Sequence, residues 1–146
     1  MTSSELRSIL TIGADGRTRD LRYRQRQFIS LHNWITRNTE EIEVAAQKDD
    51  KLSKQEAQWL VASLLTDLRS KYDSLDLKKE VTAEYSVKYS QDYPARRVPH
   101  EIGYVIPEKY TLFLSAVYVL CSCLTAGSCC LVEVSIHSSF YVLPVW

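Results

Sequence analysis

The segment from Tyr110 to Val132 runs for 23 residues without a charged side chain, in a chain of 146 whose front half is dense in charge. A stretch of about 20 apolar residues is long enough to cross a bilayer. The alternative is a helix and a strand buried at the centre of a globular domain. The run contains Ser115, Ser122, Thr125, Gly127 and Ser128. These small and polar residues weigh toward the buried core, with membrane association as the competing reading.

The surrounding sequence sets limits on both. Lysine plus arginine balances aspartate plus glutamate at 18 each. A nonspecific nucleic-acid binder needs excess positive charge for the phosphates, so no nucleic-acid partner is expected. The balance is uneven along the chain: Lys109 is the last basic residue and Glu133 the only formal charge after it. The four cysteines, Cys121, Cys123, Cys129 and Cys130, all fall in or beside the apolar run. Their spacing departs from the two-to-four-residue gaps of structural zinc sites. They read as small buried hydrophobes, with no metal implied. Met1 to Arg19 lacks an apolar signal core. A reducing, cytoplasmic setting is expected.

Residues 1–20 read as a flexible lead, with Gly13 and Gly16 in a turn-like "GADGRTRD". Residues 21–146 read as one domain. Leu21, Arg24 or Gln25, Phe28, Leu31 and Ile35 recur every three to four residues and predict an amphipathic helix. "NTEEIEVAA" predicts a second, capped by Asn38 with Glu41 at the third position, facing Ile42, Ala45 and Ala46 inward. Ser53 and Glu56 mark the start of a third, whose apolar face takes in Trp59, Leu60, Leu64, Leu65 and Leu68. Trp34 and Trp59 both read as packing residues. A shorter helix follows in "SLDLKKEVTAEYSV", capped at Ser74. "YSVKYSQDYPARRVPHEIGYVIP" reads as loops with short strands. Leu112 to Thr125 predicts a buried helix ended by Gly127, and "CCLVEVS" a short buried strand.

The order "RQRQFISLHNWITRNTEEIEVAAQKDD", then "PHEIGYVIPEKYTLFLSAVYVLCSCLTAGSCCLVEVS", resembles the N-terminal part of the aldehyde dehydrogenases, across roughly residues 21–138. The family has amphipathic helices, a "W-N-Y-P" type segment, a helix ending in "A-A-G-N" and a strand ending in "L-K-P-S-E"; "LTAGSCCLVEVS" is the best local match. The resemblance implies an α/β fold: N-terminal amphipathic helices packed with a small, incomplete Rossmann-like βαβ sheet unit, completed by dimerisation.

The departures from the family pattern bear on chemistry. The oxyanion-stabilising asparagine falls on Tyr110 or Lys109, which supply no side-chain amide. The lysine that touches the cofactor ribose falls on Glu133, reversing the charge. The proline and glutamate after it fall on Val134 and Ile136, and the asparagine of "A-A-G-N" on Ser128. The family's glycine-rich turn, general-base glutamate and nucleophilic cysteine belong to parts of the family sequence beyond residue 146. The resemblance therefore implies a pseudoenzyme with respect to aldehyde oxidation, holding no nicotinamide or other cofactor and serving in binding or assembly. A homodimer is the simplest cover for exposed strand edges and apolar surface. The tail "SSFYVLPVW" reads as an edge strand or interface anchor, with Pro144 favouring an edge.

A second function class is a small repurposed enzyme, a cofactor-independent cyclase or isomerase acting on a hydrophobic metabolite. Its candidate catalytic groups are His100, Glu101, Glu108, Lys109, Tyr110, Glu133 and His137, through a near-neutral histidine and a carboxyl of raised pKa. Tyr104, Tyr110 and Tyr118 are the candidate ligand-binding rings. Each has a plainer reading. His100 decorates a loop, His137 is an exposed tail histidine, Glu133 forms a salt bridge or sits at a solvent-facing strand end, Tyr110 and Tyr118 pack, and Arg96 and Arg97 are solvated.

Overall fold

The computed structural model describes residues 15–89, 99–108 and 110–133, together with Arg7 and Thr11, the side chain of Glu84 excepted. Four helices come first: α1 (Leu21–Arg37), α2 (Thr39–Asp49), α3 (Lys54–Asp73) and α4 (Leu77–Lys88). They are followed by β1 (Ile102–Val105), α5 (Leu112–Ala126) and β2 (Cys129–Val132). The result is a mostly helical α/β fold with a two-stranded parallel sheet.

The stripe on α1 is the one its spacing predicts, and Arg24 rather than Gln25 occupies the inward position. Asp20 caps this helix by accepting from the Tyr23 N–H, 3.0 Å away. That bond holds the Asp20 carboxyl below the ordinary range, because it favours the charged form. The cap expected at Asn38 is absent. Its side-chain amide turns back and donates to the Trp34 carbonyl at 2.7 Å, closing α1 instead of opening α2. Ser53 and Glu56 do form a reciprocal capping box at the start of α3. The cap of α4 is Asp76, two residues beyond the expected Ser74, which terminates α3. Asp76 Oδ1 accepts from the N–H groups of both Lys78 and Lys79. A carboxylate near two orphan amide donors outcompetes a hydroxyl two residues earlier in the chain.

α3 is the hub, packed against α1, α2 and α5. Its Ala57, Leu60, Val61, Leu64 and Leu68 are buried. They meet Phe28 and Ile35 of α1, Ile42 and Ala46 of α2, and Phe113, Val117, Cys121 and Leu124 of α5. Trp59 is not part of this face. It is 76 % exposed, because the helix turns its position outward while Leu60 and Val61 point in. Trp34 packs against the core from its margin.

The uncharged run therefore resolves into a helix and a strand. Gly127 breaks it, at φ 82°, a left-handed conformation that an L side chain resists. The helix has 15 residues, and among the described residues no helix is long and apolar enough to cross a membrane. Around Gly127 three parts of the chain converge. A Cβ there would lie 3.2 Å from the Thr18 carbonyl oxygen and 3.5 Å from Pro99. Thr18 is buried in a 3-10 turn, Arg17–Arg19, inside the stretch that reads as a flexible lead.

Arg24 ties these parts together. Its Nη1 donates to the Thr125 carbonyl at 2.9 Å, at the C-terminal end of α5. Its Nη2 donates to the Arg19 carbonyl at 3.3 Å and to both Glu80 oxygens at 2.7 and 2.6 Å. A positive charge at a helix C-terminus is favourable, since the last carbonyls carry partial negative charge.

Candidate functional site

The parallel sheet is packed on one face by α5. β1 and β2 pair in register from Ile102 with Cys129 to Val105 with Val132. The Cys129 N–H donates to the Glu101 carbonyl at 3.1 Å and the Glu133 N–H to the Val105 carbonyl at 2.9 Å. Strand alternation then fixes the faces. A Cβ on Gly103 would meet the Cys123 sulfur of α5 at 3.1 Å, so Gly103 and its partner Cys130 face the helix. Ile102, Tyr104, Cys129, Leu131 and Glu133 share the other face. No helix among the described residues packs on it as α5 packs on the first.

Tyr104 and Glu133 are brought together on this open face. The Tyr104 hydroxyl donates to Glu133 Oε2 in a short contact. Tyr104 is 58 % exposed and Ile106, just past the strand, 72 %. Parallel strands normally have both faces covered, and their sequences are apolar for that reason. Here one side carries a tyrosine–carboxylate pair amid apolar residues.

The other sequence candidates lie elsewhere. His100 and Glu101 are exposed at the entrance to β1. Glu108 is exposed, and its backbone N–H donates to Ser115 Oγ at 3.1 Å. Tyr110 is 76 % exposed before α5. The Tyr118 hydroxyl shares a 3.1 Å hydrogen bond with Ser63, bridging α5 to α3. Tyr118 is thus turned to the helical layer while Tyr104 is on the sheet. Lys109 and His137 lie outside the described residues, as does the tail from Val134 onward.

Two open concavities occur on the helical part. One, about 690 Å³, lies between the start of α1 and the outer side of α4, lined by Leu21, Arg22, Leu77, Glu80, Val81 and Tyr85 among others. The second, about 440 Å³, is bounded by Leu52, Trp59, Leu60, Ser63, Thr111 and Leu114. None of the sequence candidates among the described residues lines either one. Sequence reasoning overlooked both, although the exposed repeat of Leu77, Val81 and Tyr85 at four-residue intervals was a readable signal.

Electrostatics distinguish two further groups. Cys121 is buried against α3, and burial pushes its thiol up to about 12, so it is an inert core residue. Asp50, at the end of α2, is half-buried, and neither of its carboxyl oxygens has a hydrogen-bond partner among the described residues. Burial and the neighbouring Asp49 raise its pKa. Among the described residues no group of three or more His, Cys, Asp or Glu side chains is placed to hold a metal ion.

Comparison with protein families, with curated proteins and with solved structures finds no match for this chain.

Proposed function

We propose that the chain is an assembly protein resembling the N-terminal part of an aldehyde dehydrogenase. It lacks that family's oxidation chemistry and associates with a second copy of itself. The observation that supports this reading is the half-covered parallel sheet. α5 covers one side, while the half-buried Ile102, Cys129 and Leu131 and the exposed Tyr104 form an apolar strip on the other. A second copy related by a twofold axis offers the same strip in return, so one surface buries itself without a complementary partner. The Tyr104–Glu133 pair fits the rim of such a contact. An aromatic ring fills space there, and its hydroxyl satisfies the only charge in the strip. The dimer completes the Rossmann-like layering that one chain begins.

The test is sedimentation equilibrium of the chain and of a Tyr104→Arg/Leu131→Lys double variant. Circular dichroism and a cooperative melt serve as the folding control. A dimer is expected for the parent chain, with the dissociation constant raised at least about 100-fold in the variant, as two buried like charges on each copy require. A monomeric parent at all accessible concentrations, or a dimer indifferent to the variant, overturns the proposal.

A further inference from the structure

Three of the four cysteines surround the junction of α5 and β2, and two of them share the side of the sheet that α5 covers. Cys123 lies in the last turn of α5 and Cys130 in the middle of β2. Cys130 is the register partner of Gly103. The Cys123 sulfur stands 3.1 Å from the point a Gly103 Cβ would occupy, and glycine leaves it room to settle over the strand pair. The Cys130 side chain rises from the same face of the sheet, toward α5, which makes the two thiols neighbours. Both are free and only partly buried. Cys129 points to the opposite face by strand alternation, and Cys121, two residues before Cys123, points into the helical core.

We propose that Cys123 and Cys130 are a redox-responsive dithiol, closed to a disulfide by a low-molecular-weight disulfide such as oxidised glutathione. The Cys123 thiolate attacks one sulfur of the small disulfide. The S–S bond breaks, and one small thiolate leaves and takes up the proton that Cys123 gave to water. Cys130 then loses its proton and attacks the Cys123 sulfur, expelling the second small thiolate, which is protonated in turn. Two cysteine thiols are oxidised by two electrons, and one small disulfide is reduced to two thiols.

The order follows from the surroundings. Burial, with Cys123 and Cys129 close by, pushes the Cys130 thiol up to about 12, so it is the poorer first nucleophile. Once Cys123 is in the mixed disulfide its thiolate no longer opposes ionisation of Cys130, and attack is intramolecular. The bridge clamps the end of α5 to β2 across the Gly127 turn.

The experiment is equilibration of the folded full chain in a reduced and oxidised glutathione mixture. It is followed by alkylation at low pH, intact mass and peptide mapping without reductant. The expected result is a monomer-mass species that has lost two thiols, with Cys123 joined to Cys130. Cys129→Ser is expected to bridge as the parent does, while Cys130→Ser stops at glutathione on Cys123. A bridge that involves Cys121 or Cys129, a bridge found only between chains, or a parent that stops at mixed disulfides overturns the proposal. A parent that keeps all four thiols in excess oxidised glutathione overturns it as well.

Discussion

Arg24 and Glu80, 56 residues apart in sequence, meet at 2.6 Å with unequal burial: the arginine side chain is 5 % exposed and the glutamate 41 %. Removing one partner of a buried pair costs most when it strands a charge. Glu80→Ala leaves a buried guanidinium with only the Thr125 and Arg19 carbonyls. Arg24→Ala instead leaves a carboxylate that water can reach. Both variants also remove the ion pair that joins α4 to α1. Destabilisation of about 2–3 kcal/mol is expected for each, with Arg24→Ala also freeing two carbonyls. Urea denaturation of the two single variants and the double variant measures the coupling. A coupling below about 0.5 kcal/mol contradicts this assignment.

Gly127 is the position where a methyl group is least tolerable. The left-handed backbone alone disfavours alanine by about 1–2 kcal/mol, and the Thr18 carbonyl at 3.2 Å must give way as well. Gly127→Ala is expected to lower the melting temperature by several degrees, read by differential scanning calorimetry. Gly16→Ala, where the nearest atoms belong to the Arg19 side chain, is expected to show the backbone penalty without the clash.

The pH dependence turns on Asp50. Its folded pKa is raised from 3.8, so the folded chain binds the proton more tightly than the unfolded one. Ionisation therefore opposes folding. The penalty is absent below the ordinary carboxyl range and fully developed above the raised folded value. Asp50→Asn keeps the shape and removes the charge. It is expected to raise the melting temperature at neutral pH, with the gain shrinking to nothing as the pH falls below the range of an ordinary aspartate. A gain that persists in acid points to a cause other than ionisation.

Two neighbours on α3 are expected to behave oppositely. Leu64 is 1 % exposed at the hub of the core, and Leu64→Ala is expected to cost about 2–5 kcal/mol. Trp59→Ala is expected to change stability by no more than about 0.5 kcal/mol despite removing the larger side chain, since three-quarters of it faces solvent. Chemical denaturation of the two variants side by side checks this.

Helices were legible where periodicity and capping chemistry agree. Ser53 with Glu56, the Phe28–Leu31–Ile35 stripe and the Gly127 stop all stand in the structure as their residue types demand. The reading failed where two polar residues competed for one role. Asp76 displaced Ser74, and Asn38 found an earlier carbonyl. It failed again at Trp59, where size was taken for burial. The pairing of Tyr104 with Glu133 was not readable, because it depends on strand register across an intervening helix. The same holds for Cys123 and Cys130, which the sequence presents merely as small apolar residues.

The register that places Ile102 beside Cys129 has a kinetic side. The partners are 27 residues apart, so during synthesis β1 leaves the ribosome roughly 1–5 s before β2 at about 5–20 residues per second. For that interval β1 has no strand to pair with, while the four preceding helices have already been made. Its glycine, its tyrosine and the Ile106 beyond it then stand as an open edge that any extended chain can copy. This short waiting period, rather than the finished fold, is where the protein is most vulnerable to mispairing.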